Sequence, residues 1–233
     1  MKRLVFTLVC STIFASLASA NSVQEILAKA DRYRNPSDTF EMKIQVESKD
    51  QTQVFQVYLM GQDKTLVVTK EPTRDKGRNM LMLDREFHAY VPNLKRSMKL
   101  SLSQKLNGQV ANGDISRTRW AGDYDGKIQN RVDGNIELLL KAQKDNLTYE
   151  WIRLWVKDKT FRPLRAEFLA LNGTTLLKTA QYSEYKNMLG AERVSSIEIT
   201  DTSGAKSSIK VLEMKPSKLQ ENFFTVRNME SLR

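Results

Sequence analysis

Cysteine and histidine are almost absent from this chain of 233 residues. Cys10 is the single cysteine and His88 is the single histidine. One cysteine cannot close a disulfide within the chain, and one histidine excludes metal sites that are built from several histidines. We therefore expect packing to stabilise the fold, and we predict no metal site and no cofactor.

Motifs that carry known catalytic chemistry are also missing. The chain has no Gly-x-Ser-x-Gly nucleophile elbow and no glycine-rich loop of the kind that binds phosphate. The sequence DYDG at 123–126 resembles the start of a calcium loop, but the third ligand position and the distal glutamate are lacking. We interpret it as a turn. His88 alternates with Phe87 and Ala89, which places it on the wet side of a strand. We predict no catalytic residues and a protein that is not an enzyme.

The only long apolar run lies at the N-terminus. Lys2 and Arg3 precede the apolar residues 4–17, and Ala18-Ser19-Ala20 has the small side chains of a signal-peptide cleavage site. The run is shorter than the roughly 20 residues that a membrane-spanning helix needs. We expect residues 1–20 to be a signal peptide that is cleaved after Ala20. Residues 21–233 would then form a single domain in the periplasm.

Short strands dominate the remainder of the chain. Phe40, Met42, Ile44 and Val46 alternate with polar residues, which is typical of a strand with one buried face. We count about ten or eleven such strands, and tight turns such as Asp133-Gly134 join many of them. No strand–helix–strand rhythm is present. The pattern predicts a mainly β (α+β) fold with one curled antiparallel sheet, a half-open barrel, and a two-sheet sandwich is the alternative.

One amphipathic helix precedes these strands. Val23, Ile26, Leu27 and Ala30 recur at helical spacing, and Asn35-Pro36 should end the helix. A curled sheet leaves a concave side that must be filled. We expect this helix to cover it.

Residues 77–120 differ in character from the rest of the chain. They begin with methionine-rich strand segments and end in a polar connection that contains glycine and asparagine. In a chain of formal charge +10, their basic residues predict either a docking patch for an acidic partner or anionic lipid headgroups, or a charged edge strand facing solvent. No aromatic residues are interleaved, so we do not expect nucleic acid to bind. The basic residues are Lys95, Arg96, Lys99, Arg117 and Arg119, and residues 95–120 are a candidate mobile flap.

Four segments of this stretch resemble the exported outer membrane lipoprotein-sorting proteins, the relatives of LolA. They are GRNMLML at 77–83, YVPNLKR at 90–96, SLSQKLNG at 101–108 and NGDI at 112–115. The resemblance implies a LolA/LolB-like fold, in which a curled sheet and lid helices enclose an apolar cavity. It also implies a carrier that takes lipoprotein acyl chains from an inner-membrane ABC-type transporter towards an outer-membrane acceptor. Residues 77–120 are longer than their counterpart in LolA, which leaves the client and the exporter open.

The candidate site follows from the alternating strands and the helix. We expect the lipid-binding cavity to be lined by Phe40, Met42, Ile44, Val46, Phe55, Val57, Leu59, Met80 and Met82. The inner face of the lid helix would be Val23, Ile26, Leu27 and Ala30. The alternative is that all these side chains form only a closed core.

A second function belongs to a different class. RseB-like periplasmic proteins share a LolA-like domain and act as lipid or lipoprotein sensors that regulate a signalling partner. They carry a second domain, for which this chain is too short. The carrier is therefore the leading prediction, and we expect it to act as a monomer.

Overall fold

The computed structural model describes residues 22–36, 39–84, 86–117 and 119–232. The predicted signal peptide lies outside these ranges. The helices are Val23–Asp31, Asn112–Ser116 and Val226–Ser231, which we number α1 to α3. The strands β1 to β15 are, in chain order, Phe40–Ser48, Thr52–Met60, Lys64–Glu71, Met80–Leu83, Glu86–Val91, Arg96–Lys99, Lys105–Asn107, Val110–Ala111, Tyr124–Val132, Asn135–Ala142, Trp151–Lys157, Pro163–Leu169, Leu176–Met188, Ala191–Asp201 and Lys206–Pro216.

Thirteen of the strands form one open antiparallel sheet. Their order is β6-β5-β4-β3-β2-β1-β15-β14-β13-β12-β11-β10-β9, so β6 and β9 are the edges. The predicted single antiparallel sheet is confirmed, but the predicted count of ten or eleven strands is wrong. Short strands account for the difference, because an element such as β6, with four mostly polar residues, has no readable alternation. Strands β7 and β8 pair separately.

Helix α1 begins at a complete capping box. The Ser22 hydroxyl accepts a hydrogen bond from the Glu25 backbone N–H at 3.2 Å, and the Glu25 carboxylate accepts one from the Ser22 N–H at 3.0 Å. The helix ends at Asp31, before Asn35 and Pro36. None of the helices in the described ranges is both long enough and apolar enough to cross a membrane.

The sheet has two faces with different coverings. We call the face that carries Phe40, Met42, Ile44 and Val46 the front face, and these side chains are buried in the main hydrophobic cluster. The same cluster contains side chains of α1 and of the β6–β9 connection, which is our name for residues 100–123. The contributions from these two elements are Ile26, Leu27, Ala30, Leu102, Val110, Ile115 and Trp120.

The back face is covered near β3 and β4 by the C-terminal tail, residues 219–232. Leu66, Val68 and Leu81 form a second buried cluster with Phe224 and Met229 of this tail. The Asn79 amide fixes the tail, because its Nδ2 donates to the carbonyl oxygens of Met229 and Leu232 at 2.9 Å each. The two faces of the sheet therefore pack against different parts of the chain.

Candidate functional site: the apolar front face

The nine predicted cavity residues lie together on the front face. All of them are buried, with exposed fractions between 0% and 5%. Three of the predicted lid residues, Ile26, Leu27 and Ala30, belong to the same cluster, and Val23 packs at its margin. Strand alternation explains the arrangement, since every second residue of β1, β2 and β4 points to one side. The role of this face in binding a ligand remains a prediction.

The space in the middle of the front face is small. Met42 and Ile44 line a pocket of about 20 Å³ together with Ile115 and Met214. A volume of this size holds about one water molecule. An acyl chain therefore does not fit in the middle of the face while the β6–β9 connection lies over it.

A larger cleft lies towards β4 and β5. It has a volume of about 350 Å³, and Phe55 and Met80 line it from the sheet. Leu100 and Leu106 of the β6–β9 connection form its other wall. Small-molecule sites typically enclose about 300–1,000 Å³, so this cleft is large enough for part of a lipid.

Helix α1 is tied to the end of the β6–β9 connection by polar contacts. The Asp31 carboxylate accepts hydrogen bonds from the backbone N–H of Trp120, at 2.8 and 3.0 Å, and from that of Ala121, at 2.8 Å. The Gln24 amide accepts from the Gly122 N–H at 3.1 Å and donates to the Tyr124 carbonyl at 2.7 Å. These contacts hold helix and connection together without strand pairing.

Burial has the largest effect on the pKa of Asp31. It raises the pKa of the carboxyl from 3.8 to about 7, although the two backbone N–H groups and the charges of Arg34 and Arg119 oppose the shift. The carboxyl group of Asp31 therefore titrates near neutral pH at the junction between α1 and the connection.

Arg34 lies at the wall of the small central pocket. Its guanidinium carbon is 4.6 Å from the centre of the Trp120 ring and 5.4 Å from that of Tyr182, in cation–π geometry. Its Nε is buried and has no hydrogen-bond partner among the residues that the structure describes. The Nε–H group of Arg34 is therefore an unpaired hydrogen-bond donor beside the apolar face.

Asp114 links α2 to residues just before β11 and in β13 of the sheet. Its carboxylate accepts hydrogen bonds from the Tyr149 hydroxyl at 2.7 Å, the Ala111 N–H at 2.8 Å and the Lys178 ammonium at 3.3 Å. The Tyr149 ring stacks on Phe168 with centres 3.9 Å apart. Burial, followed by the charge of Asp114, raises the pKa of Tyr149 well above its usual value, so the hydroxyl stays a neutral donor.

The predicted docking residues fall into two groups. Lys95, Arg96 and Lys99 are exposed at or beside the edge strand β6, and the Lys99 ammonium pairs with Glu86 at 2.7 Å. Arg117 and Arg119 instead have side chains that are 2% and 9% exposed. Only the first group forms a surface that a partner can reach in this arrangement.

Arg117 and Arg119 surround the carboxylate of Asp123. Arg117 donates to both oxygens of Asp123, at 2.5 and 2.7 Å, and Arg119 and Lys144 approach to 3.2 and 3.1 Å. Burial alone would raise the pKa of Asp123, but these cations, chiefly Arg117, hold it below its usual value. Arg117 also donates to the Asp84 carbonyl and Arg119 to Gln62, which connects this cluster to the β4–β5 and β2–β3 turns.

The sequence-based interpretation missed the polar residues Asp31 and Arg34, and it included Asp114 within the NGDI segment without this structural role. For Asp31 a signal was present, because it follows Leu27 by four residues and so lies on the apolar side of α1. A charged residue on that side indicates a buried partner. For Arg34 and Asp114, which lie outside any periodic segment, we find no comparable signal.

Known proteins with a similar sequence or a similar structure were found for this chain. A family model whose description reads "Uncharacterized protein" matches residues 61–231. No match is found among curated proteins. A putative outer membrane lipoprotein-sorting protein domain from Vibrio parahaemolyticus has a TM-score of 0.73 and 20% identity, over 89% of this chain and 97% of its own. A DUF1329 family protein from Desulfovibrio piger also has a TM-score of 0.73, with 18% identity over 88% and 97%. At these identities the two structures show a shared fold.

A third solved structure is more similar in sequence. It is a LolA superfamily protein from Nitrosomonas europaea, with a TM-score of 0.81 and 35% identity over 89% of this chain and 99% of that chain. Identity at this level over nearly the whole of both chains, together with the shared sheet, confirms the resemblance found in the sequence. The chain belongs to the LolA superfamily.

Proposed function

We propose that this protein is a periplasmic carrier, not an enzyme, and that it binds the acyl chains of lipoproteins or of other lipids on its front face. It would receive them from an inner-membrane transporter, ABC-type or similar, and move them towards an outer-membrane acceptor. The observation that carries this proposal is the apolar front face, against which α1 and the β6–β9 connection pack, the connection contributing α2 and the small β7–β8 pair but no second large sheet among its described residues. In this proposal α1 and the β6–β9 connection move away from the face, and an acyl chain takes their place.

The physical need for a carrier follows from the hydrophobic effect. Each methylene that leaves an apolar environment for water costs roughly 0.8 kcal/mol, so a chain of many methylenes does not cross an aqueous compartment unaided. The nine buried apolar side chains of the front face are chemically suited to replace the bilayer around such a chain.

Loading requires the covering to move, because the central pocket has only about 20 Å³. The contacts of Asp31 and Gln24 with residues 120–124 are hydrogen bonds that water can replace when α1 separates from the connection. We assign α1 the role of the lid and the β6–β9 connection, which contains most of the predicted flap 95–120, the role of the flap. Residues 96–99 of that predicted flap form the edge strand β6 and stay with the sheet. Arg34, with its unused Nε, would then donate to an ester or anionic oxygen at the head of the acyl chain.

The exposed cations at the β6 edge supply a docking surface in this proposal. Lys95, Arg96 and Lys99 would attract an acidic patch on the transporter or on the acceptor. Because β6 is an edge of the sheet, its unpaired side and these charges lie together.

The direct test is the lipid content of the protein. Native mass spectrometry of protein isolated from the periplasm should show bound lipid or lipopeptide, and delipidated protein should take up a fluorescent lipopeptide. Protein that is isolated empty and that also fails to take up lipopeptide or labelled fatty acid would contradict the carrier proposal.

A substitution series tests the assignment of the face. Met42→Glu and Ile44→Glu each place a carboxylate on the front face, so we expect lipopeptide uptake to fall at least about tenfold, because a buried charge without a partner is costly. Lys43→Glu is the matched control, since Lys43 lies between them in β1 but is exposed on the other side. Circular dichroism checks that each variant is folded. A folded Ile44→Glu protein with unchanged uptake would rule out this face as the binding site.

A further inference from the structure

Exposed leucines are concentrated at the tip of the β12–β13 hairpin. Leu171, in the turn, is 82% exposed, and Leu176 and Leu177, at the start of β13, are 37% and 47% exposed. The other large apolar side chains that the structure shows as exposed, Leu94, Val132 and Leu212, stand singly on other elements. Single exposed leucines are ordinary on protein surfaces, but a group of three at one hairpin tip is not.

The tip of this hairpin carries no charged residue. Residues 168–177 have the sequence FLALNGTTLL, ten positions without a charged side chain in a protein in which 27% of residues are charged. Many other strand connections of the sheet carry an aspartate, among them those at Asp50, Asp63, Asp84, Asp133 and Asp158. A segment that enters an apolar medium must lack unpaired charges, because burying one costs several kcal/mol. The tip meets this condition.

Several polar groups of the tip are hydrogen-bonded within the tip. The Asn172 side-chain oxygen accepts from the N–H groups of Thr174 and Thr175 at 3.1 and 3.0 Å, and its amide donates to the Thr175 hydroxyl at 2.7 Å. The Gly173 N–H bonds to the Ala170 carbonyl, and the Ala170 N–H bonds to the Thr175 carbonyl. Backbone groups paired in this way lose little when water is removed from around them.

A tryptophan and a lysine lie beneath the tip. Trp151 of β11 packs under Gly173, where a Cβ atom would come within 3.2 Å of the indole ring. The Lys141 ammonium stands 5.4 Å from the centre of the same ring. Tryptophan is enriched at the level of lipid headgroups, and lysine is attracted to anionic headgroups.

We propose that the β12–β13 hairpin docks the protein on a lipid bilayer by inserting Leu171, Leu176 and Leu177 into the interfacial layer. A β-bulge places both Leu176 and Leu177 opposite Leu169 of β12, so these leucines lie on the same side of the hairpin. Leu169 is paired with Trp151 and Trp151 with Lys141, so the leucines share this side with a tryptophan and a lysine, a combination that favours a lipid headgroup layer over a protein partner. Trp151 and Lys141 would then lie at the headgroup level. This inference goes beyond the proposed function and does not depend on lipid uptake by the front face.

The test is binding to vesicles. We expect the protein to float with vesicles of phosphatidylcholine, and with vesicles of phosphatidylethanolamine and phosphatidylglycerol, and we expect Leu171→Thr/Leu177→Thr to lower the partition coefficient about 100-fold on both, at roughly tenfold for each leucine. The matched control is Val132→Thr/Leu212→Thr, which removes two side chains of 50% and 49% exposure from other strands. It should bind as the wild type does.

A second measurement locates the contact. Tryptophan introduced by Leu171→Trp should gain fluorescence quenching by brominated acyl chains, whereas Leu212→Trp should not. Absence of wild-type binding to both kinds of vesicle would overturn the proposal. Equal losses in the tip variant and in the control would overturn it too, as would a dimer in sedimentation that the tip substitutions abolish without any vesicle binding. Lipopeptide uptake is measured separately, so the carrier function and bilayer docking can fail independently.

Discussion

At the scale of single residues, the buried carboxylates Asp31 and Asp123 behave in opposite ways. Asp31 has backbone N–H groups as hydrogen-bond donors, and burial raises its pKa to about 7. Asp123 has three cations around it, and they hold its pKa below the usual value despite its burial. The folded state therefore favours the neutral form of Asp31 and the ionised form of Asp123.

The raised pKa of Asp31 predicts a loss of stability with rising pH. Between the unfolded value of 3.8 and the folded value of about 7, the native state binds the proton more tightly, so the free energy of unfolding falls as pH rises through this range. Asp31→Asn removes this titration. We expect the stability of the variant relative to the wild type to increase between about pH 5 and about pH 8 in urea unfolding experiments.

Asp50→Asn is the control for this experiment, because Asp50 is exposed in the β1–β2 turn. Its stability relative to the wild type should stay constant over the same range. A constant difference for Asp31→Asn as well would mean that Asp31 is ionised throughout and that the N–H groups outweigh burial.

The lowered pKa of Asp123 predicts the opposite sign. The stability that its ion pairs contribute is present above the unfolded pKa and is lost as acidification reaches the folded pKa. At neutral pH, Asp123→Asn leaves Arg117 and Arg119 buried without their carboxylate, and we expect a cost of about 3–5 kcal/mol in urea unfolding. Asp158→Asn, which breaks the half-exposed pair with Arg131, should cost less than about 1 kcal/mol. Similar losses for the two variants would contradict a special role for the Asp123 cluster.

At the scale of elements, the sequence predicts those helices and strands whose apolar residues recur at a regular spacing. Strand β1 could be predicted because apolar residues such as Met42 and Ile44 alternate with polar ones over residues 40–47, and α1 because of its helical spacing and capping serine. The nine front-face residues follow from the same alternation. The lipid role assigned to them stays a prediction.

The β6–β9 connection could not be derived in this way. Its buried side chains, such as Leu102, Val110 and Ile115, have no regular spacing, because they fit a surface formed by other strands. The contact between Asp31 and Trp120 joins residues 89 positions apart, which no local pattern encodes. The burial of Arg117 and Arg119 was missed for the same reason, since it depends on distant turns at Gln62 and Asp84.

At the scale of the whole molecule, different segments of the chain cover the two faces of the sheet. The front face is covered by elements that the carrier proposal requires to move, whereas the back face is covered by the C-terminal tail. Asn79 anchors that tail through two hydrogen bonds to backbone carbonyls. The carrier proposal requires the front covering to open while the tail keeps the back face covered.

This division predicts that a defect on the back face lowers stability but not lipid uptake. Met229 is fully buried between the tail and the sheet, so Met229→Ala should lower the free energy of unfolding by about 2–5 kcal/mol through the cavity that it leaves. The exposed neighbour Arg227→Ala should change it by less than about 0.5 kcal/mol. At a temperature where both variants are folded, each should take up lipopeptide as the wild type does, because neither side chain reaches the front face. A folded Met229→Ala protein with strongly reduced uptake would show that the back face takes part in loading, and the assignment of loading to the front face alone would then be wrong.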